Sequence, residues 1–281
     1  MIKVLKPGFF TTVQDLGRFH YRHKGVPVSG AMDGPALERA NLLLENDPSD
    51  AGLEMTMGGP TLSFMEPTYF ALAGALMSAT LNNVPVANDK VYRAQTGDIL
   101  SYGRLEKGFR AYLAVKGGFR TPLILGSRSW YSPITPANCL REGDQLAYGP
   151  VTDFEPKISE MRVHSHLEQR VLEVSPAPEF ERVPRPALQQ LFGTEFTLAK
   201  ENNRMAYQLE EVFVPNRETM LTAATLPGTV QWTPAGKLIL LMKDGQTTGG
   251  YPRILQLSQK AIGVLAQKRT GDRIAFALME K

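Results

Sequence analysis

The chain has 281 residues, 43% of them apolar, and a net charge of only +3. This length favours two domains rather than one, and the small charge does not indicate binding to nucleic acid or a membrane surface. The single cysteine excludes an internal disulfide. Because no apolar leader and no long apolar run occur, we expect a cytoplasmic protein without a membrane span.

The first stretch with a functional composition is residues 11–18, which follow a Pro-Gly turn. Gln14, Asp15 and Arg18 cluster there around Gly17. Glycine lets the backbone approach a ligand closely, and the three side chains offer an amide, a carboxylate and a guanidinium group. We therefore predict a polar loop that follows a short strand.

A helix is predicted directly after the second polar stretch, residues 29–33. Asp33 is a favourable N-cap, and Pro35 falls in the first turn, where a missing N–H costs little. Apolar residues then recur at helical spacing up to residue 44. Asn41 lies on this apolar stripe and needs hydrogen-bond partners, so we expect it to tie the helix to one of the polar loops.

Residues 61–115 have the pattern of short strands separated by Pro, Asn and Gly. Asn82-Asn83 and Asn88-Asp89 are predicted as hairpin turns. Many short strands at regular spacing are typical of a barrel or a sandwich.

One short pattern recurs three times, in which Gly-Asp precedes a β-like run with a final aromatic residue. Its copies are 97–102, 143–148 and 271–276. We interpret each copy as a turn that leads into a strand, so that similar β-units are expected in both halves of the chain.

The polar stretch at residues 150–169 is the predicted domain boundary. We divide the chain into domains at 1–155 and 156–281. His164 and His166 lie in this stretch. Two histidines are too few for a zinc site, so we interpret them as solvated side chains and predict no metal. Short helices are predicted at 187–192 and after Ser258.

The most distinctive stretch is residues 244–252, which follow an apolar run predicted to be a buried strand. It combines two adjacent glycines with Gln246, Thr247, Thr248 and Tyr251. Such a loop can hold a carboxylate, carbonyl or phosphate oxygen, although it lacks the Gly-Lys-Ser/Thr of a P-loop. The alternative is a polar turn at the end of a strand.

Five polar loops thus occur along the chain, at 11–18, 29–33, 126–129, 202–207 and 244–252. Arg128 and Arg204 supply cations to two of them. If two or more converge, the site would suit a small, oxygen-rich, amide-like ligand.

Several motifs in this order resemble the family that contains the C subunit of 5-oxoprolinase. The family also includes the antagonist of the Kip kinase inhibitor and part of the carboxyltransferase domain of urea carboxylase. The resemblance covers nearly the whole chain, and it depends chiefly on residues 12–18, 25–27, 29–33, 117–119, 127–129, 203–205, 228–231 and 246–252.

The resemblance implies a mainly β fold, with two cyclophilin-like β-barrels and a few short helices. It also implies that the chain acts with two partner proteins. These are the B subunit of 5-oxoprolinase, which is Kip inhibitor-like, and the A subunit of 5-oxoprolinase. The three chains together would open the lactam 5-oxoproline to glutamate with ATP. We expect the chain to be inactive alone, and its sequence does not place an ATP site.

Residue roles follow from combining the polar loops with this resemblance. Asp15, Arg18 and Gln246 are the predicted catalytic residues. Arg18 would hold a carboxylate or phosphoryl oxygen, and backbone N–H groups near Gly249 and Gly250 would stabilise negative charge. Proton transfer is assigned to Asp15 rather than to Asp33. The predicted substrate-binding residues are Gln14, Ser29, Asp33, Asn41, Arg128, Arg204, Thr247, Thr248, Gly249, Gly250 and Tyr251.

Two other functions fit the same resemblance. One is a biotin-dependent carboxyltransferase component that acts on urea or a similar amide. The other is a non-enzymatic protein that sequesters a kinase inhibitor, which would tolerate changes in the polar loops.

Overall fold

The computed structural model describes residues 1–149, 151, 154–216 and 220–279. The chain forms two compact units. The first contains Met1–Arg18 and Ser29–Leu167, and the second contains Phe19–Val28 and the chain from Glu168 onward. The domain boundary between residues 155 and 156 stays a prediction, and residues 150, 152 and 153 of the predicted polar boundary lie outside the described residues.

The first unit consists of short antiparallel strands in two sheets. The strands are β1 (Ile2–Lys6), β2 (Phe10–Gln14), β3 (Gly52–Thr56), β4 (Thr61–Phe64), β5 (Thr68–Leu76), β6 (Thr80–Leu81), β7 (Val84–Pro85), β8 (Val91–Ala94), β9 (Ile99–Ser101), β10 (Lys107–Val115) and β11 (Gln145–Leu146). One sheet has the order β11-β1-β4-β9-β6-β7, and the other has the order β2-β3-β10-β5-β8.

Both faces of the five-stranded sheet are covered. Val13, Leu53 and Leu113 belong to a core that also includes side chains of the six-stranded sheet. On the other face the helix α1 (Gly34–Leu43) packs through Leu37 and its neighbours. That face also carries Glu54 and Tyr112 in register on β3 and β10.

The second unit contains a closed barrel. The strands of this unit are β12 (Val171–Pro176), β13 (Phe196–Asn202), β14 (Ala206–Leu209), β15 (Ala223–Ala224), β16 (Thr229–Trp232), β17 (Leu238–Leu241), β18 (Thr248–Gly249), β19 (Arg253–Leu257) and β20 (Arg273–Leu278). The barrel order is β12-β19-β16-β17-β14-β13-β20, β20 pairs in parallel with β12, and β15 pairs with β18 outside the barrel. The mainly β prediction is confirmed.

The predicted helices are confirmed as well. Asp33 caps α1, with its side chain accepting a hydrogen bond from the Ala36 N–H. The other two are α2 (Arg185–Gly193) and α3 (Gln259–Ala266), and Ser258 caps α3. Across the described residues, no helix combines the length and apolar character that a membrane crossing needs.

The three Gly-Asp turns share one geometry. Each glycine has a positive φ, at 89°, 86° and 84° for Gly97, Gly143 and Gly271. In each turn the aspartate carboxylate accepts the backbone N–H of the residue three positions earlier, at 2.7, 2.7 and 2.9 Å. The sequence pattern therefore predicts the same turn in both units.

One of the two predicted hairpins is correct. Asn82 and Asn83 both have positive φ and join β6 to β7, which pair with each other. The prediction for Asn88-Asp89 is wrong, because β8 pairs with β5 and not with β7. Instead, the Asn88 amide donates to backbone carbonyls of β5.

A partly buried ion pair holds the start of the second unit's 3-10 turn (Phe180–Arg182) against β19. Both guanidinium contacts between Arg253 and the Glu179 carboxylate are 2.8 Å long. The Arg253 backbone N–H adds a third bond of 2.9 Å. Hydrogen bonds from Arg253 lower the pKa of Glu179, and the same bonds raise the pKa of Arg253.

This ion pair predicts an acid-sensitive stability. The Glu179 pKa is lower in the folded state, so its contribution is present above the unfolded value of about 4.3 and is lost as the pH falls through the folded value. We expect Glu179→Gln to lower the free energy of unfolding by roughly 1–3 kcal/mol at pH 7, with the difference shrinking toward pH 3. Urea denaturation across this pH range measures it. Glu173→Gln, in an exposed pair with Lys260, is the control, and an equal pH dependence in both variants would contradict the prediction.

Candidate functional site

In the first unit, the Asp15 carboxylate joins two of the polar loops. It accepts hydrogen bonds from the Ser127 and Ser129 hydroxyls at 2.7 and 2.5 Å. It also accepts the backbone N–H groups of Arg128 and Gly17 at 2.6 and 2.8 Å. We call Asp15 with these four donors the Asp15 clasp. It ties the end of β2 to the loop at residues 126–129.

The loop at residues 29–33 joins the same cluster. The Ala31 N–H donates to the Asp15 carbonyl at 2.8 Å. Gly30, at φ 87°, packs directly on the Leu16 backbone, where a β-carbon would lie 2.6 Å from the Leu16 carbonyl carbon. Only glycine permits this approach, so three of the five predicted polar loops converge in the first unit.

Two predicted cations bind the chain's own backbone in this cluster. Arg18 is only 1% exposed, and its Nη2 donates to the Ser129 carbonyl at 2.5 Å. Arg128 donates through Nη1 to the Thr121 carbonyl. Both guanidinium groups therefore help to shape the loop at 124–129.

Two fully buried polar residues in this unit each have an atom without a partner. The Gln14 amide nitrogen donates to Thr12 Oγ1 and to the Trp130 carbonyl, at 3.0 and 3.1 Å. Gln14 Oε1 and Ser29 Oγ have no hydrogen-bond partner among the described residues. Buried polar atoms are normally hydrogen-bonded, so both atoms are candidates to contact a ligand.

A second network lies on the face of the five-stranded sheet that packs against α1. The Tyr112 hydroxyl donates to Glu54 Oε2 at 2.8 Å and accepts the Asp33 backbone N–H at 2.8 Å. The Met32 N–H donates to the same Glu54 oxygen at 2.7 Å, and Arg110 Nε lies 3.8 Å from Oε1. Burial, together with the charges of Glu54 and Asp33, raises the pKa of Tyr112 well above its ordinary value. The phenol therefore stays protonated and donates to Glu54.

His166 joins this network through Asp33, which corrects the interpretation of both linker histidines as solvated. His166 Nε2 lies 2.8 Å from Asp33 Oδ2, and the His166 side chain is only 16% exposed. His164, two residues earlier, is exposed as expected. Sequence reasoning missed His166 because its partner lies 133 positions away.

Asn41 does not reach any of the polar loops, so that expectation is wrong. Its amide donates to the carbonyls of Pro48 and Asp50 at 3.3 and 2.8 Å and accepts a bond from Asn46. Asn41 thus closes the turn after α1. A polar residue on an apolar stripe signals a buried hydrogen bond, but the stripe does not identify the partner.

In the second unit, the loops at 202–207 and 244–252 are joined by an ion pair. Arg204 contacts the Asp244 carboxylate through Nε and Nη2, at 2.8 and 3.2 Å. The Asp244 N–H donates to the Arg204 carbonyl at 2.9 Å. Arg204 is thus paired with the loop that was predicted to bind substrate.

The central loop, residues 244–252, is built around two glutamine amides. Gln246 Nε2 donates to Gln231 Oε1 at 3.1 Å, which fixes the orientation of the buried Gln231 amide. Gln231 Nε2 has no acceptor among the described residues. A β-carbon on Gly249 would lie 2.3 Å from that nitrogen, so a side chain at this position would displace the Gln231 amide.

The outer side of the central loop faces solvent. Gln246, Thr248, Gly250 and Tyr251 are exposed, while Thr247 and Gly249 are half-buried. The hydroxyl of Thr225 donates to the Gln246 carbonyl at 2.5 Å. The loop therefore combines a fixed backbone with accessible polar groups.

Arg22 is a further cation of this cluster that sequence reasoning missed. Its Nη2 donates to the carbonyls of Thr225 and Gln246, and Nη1 is buried without an acceptor among the described residues. Burial lowers the pKa of the Arg22 guanidinium from its ordinary value. The neighbouring His20 and His23 are exposed.

The site residues thus form two polar clusters, each within one unit. In the described part of the chain, no group of three or more His, Cys, Asp or Glu side chains is arranged to hold a metal ion. Both clusters combine amide, hydroxyl and guanidinium groups with carboxylates that are already paired. This chemistry suits a small polar ligand that accepts and donates hydrogen bonds.

Comparisons with known proteins give a consistent result. The family model "Carboxyltransferase domain, subdomain A and B" matches residues 24–278. The chain is 35% identical to the 5-oxoprolinase C subunit of Escherichia coli K12, over 98% of this chain and 90% of that protein.

Two solved structures of other proteins are similar to the structure of this chain. The crystal structure of TTHA0988 matches with a TM-score of 0.88 and 28% identity over 98% of this chain. This chain covers 55% of the length of TTHA0988. The K. lactis urea amidolyase matches with a TM-score of 0.89 and 26% identity over 99% of this chain and 19% of the enzyme. The chain therefore belongs to the family of the carboxyltransferase domain, subdomain A and B.

Proposed function

We propose that this chain is the C subunit of an ATP-dependent 5-oxoprolinase, which acts with the A and B subunits to convert 5-oxoproline to glutamate. One observation carries the proposal: the 35% identity to a 5-oxoprolinase C subunit over almost the full length of both chains. We place the complex in the cytoplasm.

The proposed reaction requires more than this chain. A lactam is too stable to open without activation, and ATP hydrolysis supplies the driving force. We assign ATP to the assembled complex and no residue of this chain to it. Consequently, we expect the chain alone to release no glutamate.

The central loop of the second unit suits the oxygen atoms of this substrate. The ligand 5-oxoproline carries a carboxylate and a lactam carbonyl, which accept hydrogen bonds. Gln231 Nε2 and Arg22 Nη1 are buried donors without acceptors in the described structure, and both side chains contact Gln246. We assign substrate oxygens to these donors, together with the exposed Gln246 and Thr248 side chains.

In the first unit, we assign ligand contacts to Gln14 Oε1 and Ser29 Oγ. Asp15 instead has a positioning role, because its carboxylate already accepts four hydrogen bonds. An aspartate so engaged has little remaining capacity to accept a proton from a ligand. The Asp15 clasp fixes the loops that carry Gln14 and Ser29.

The alternative is a biotin-dependent carboxyltransferase component that acts on an amide such as urea. The observation that favours it is the match to the carboxyltransferase family model and to urea amidolyase. Transfer of labelled bicarbonate through biotin to an amide substrate would distinguish this function from lactam hydrolysis.

The decisive test is reconstitution. We expect the cognate A and B subunits to release glutamate from 5-oxoproline and ATP only when this chain is present. The measurement is glutamate release, with ATP omitted as the control. Equal release without the chain would overturn the proposed role.

Two neighbouring glycines provide a matched test of the central loop. We expect Gly249→Ala to lower the glutamate-release rate of the complex at least tenfold, because its β-carbon would collide with Gln231 Nε2. It should also lower the free energy of unfolding by about 1–3 kcal/mol. At Gly250 a β-carbon meets nothing within 4 Å, so Gly250→Ala should unfold like wild type. Equal stability of both variants would refute the amide-pair model.

Because the Asp15 clasp holds two loops together, substitution of Asp15 should lower the stability of the protein and not only its catalytic activity. Asparagine keeps only one acceptor oxygen, so we expect Asp15→Asn to lower the free energy of unfolding by about 2–4 kcal/mol. Thermal and urea unfolding measure this. Asp47→Asn is the control, at an exposed aspartate whose carboxylate bonds only Ser49 among the described residues. A variant as stable as wild type but without turnover would return Asp15 to a catalytic role.

A further inference from the structure

His166 and Asp33 form a pair that the sequence did not predict. Within the first unit, His166 Nε2 lies 2.8 Å from Asp33 Oδ2, and the Asp33 side chain is fully buried. We infer that His166, oriented by Asp33, is a general base of this chain. The inference rests on the proposed function, since it assigns a residue to amide hydrolysis.

Asp33 is held in one orientation. Its Oδ1 accepts the Ala36 N–H at the start of α1, at 3.2 Å. Its own backbone N–H bonds the Tyr112 hydroxyl, which is bonded in turn to Glu54. With one carboxylate oxygen at the helix and the backbone fixed, Oδ2 is directed at His166.

This contact determines which imidazole nitrogen can accept a proton. A neutral imidazole has one N–H and one lone pair. The carboxylate of Asp33 requires the N–H at Nε2, which leaves the lone pair on Nδ1. Within the part of the chain that the structure describes, His166 has no hydrogen bond other than the one to Asp33. A carboxylate that sets the tautomer in this way is how a histidine is oriented as a base.

Competing groups in the chain are less suited to this role. Asp15 is occupied by four donors, and Glu54 accepts from Tyr112 and Met32 while it faces Arg110. His20, His23 and His164 are exposed. Among the described residues, His166 is the single histidine whose ring contacts a carboxylate at hydrogen-bond distance.

The chemical step is a proton relay during amide opening. Nδ1 of His166 takes a proton from a water molecule, whose O–H electron pair forms the new bond to the amide carbon as the C=O π pair moves to oxygen. The π bond then re-forms, and the C–N electron pair moves to nitrogen. That nitrogen takes the proton back from Nδ1, so that His166 is regenerated. One water molecule is consumed at the amide bond, and the ATP hydrolysis assigned to the assembled complex supplies the driving force.

The first measurement needs no enzyme activity. The chain has four histidines, so long-range ¹H–¹⁵N spectra of the imidazoles can resolve them, and His166→Ala assigns the signal. We expect His166 to carry its proton on Nε2 at pH 8. In Asp33→Asn, which keeps a good N-cap, the amide group faces His166 and we expect the proton to move to Nδ1.

The second measurement is turnover in the reconstituted complex of the full-length subunits. We expect His166→Ala to reduce glutamate release about 10²–10⁴-fold, the typical range for a general base. Added imidazole should restore part of the rate, which it would not do for a structural defect. His164→Ala, on the same segment with an exposed side chain, should stay within about twofold of wild type.

Each result has a distinct meaning. A wild-type complex without glutamate release would overturn the proposed function and this inference with it. If the wild-type complex is active, then His166→Ala within about threefold of wild type would overturn the inference alone. So would a wild-type His166 that carries its proton on Nδ1.

Discussion

The Asp15 carboxylate is the interaction on which the first polar cluster depends. It is buried, and a buried charge is costly unless donors surround it. Two serine hydroxyls and two backbone N–H groups meet that requirement. In doing so they hold the loop at 126–129 against the end of β2, and Arg18 reinforces the same loop through the Ser129 carbonyl.

The central loop of the second unit is also held by buried hydrogen bonds, but here the groups are neutral amides. A buried amide, Gln231, accepts from Gln246, and the absence of a side chain at Gly249 leaves space for the pair. Arg22 then bonds the Gln246 carbonyl. In both units the backbone of a strand-ending loop is fixed by bonds within the unit, while one or two polar atoms remain without partners among the described residues and are open to a ligand.

Several side chains that were predicted to bind substrate make hydrogen bonds within the protein itself. Arg128 bonds the Thr121 carbonyl, Arg204 pairs with Asp244, and Asn41 closes the turn after α1. A charged residue in a polar loop has the same appearance in a sequence whether it binds a ligand or its own chain. Its partner distinguishes the two cases, and the three partners here lie between 7 and 40 positions away.

The sequence by itself determined what depends on neighbours in the chain: the capped helices after Asp33 and Ser258, the Gly-Asp turns, the Asn82-Asn83 hairpin and the mainly β class. These follow from backbone φ preferences and local periodicity, which act over a few residues. Only the tertiary structure decided that Asn88 is not in a hairpin, that Asp15 is occupied, and that His166 meets Asp33. Those outcomes depend on which strands and loops pack together, and packing joins residues whose separation in sequence carries no local signal.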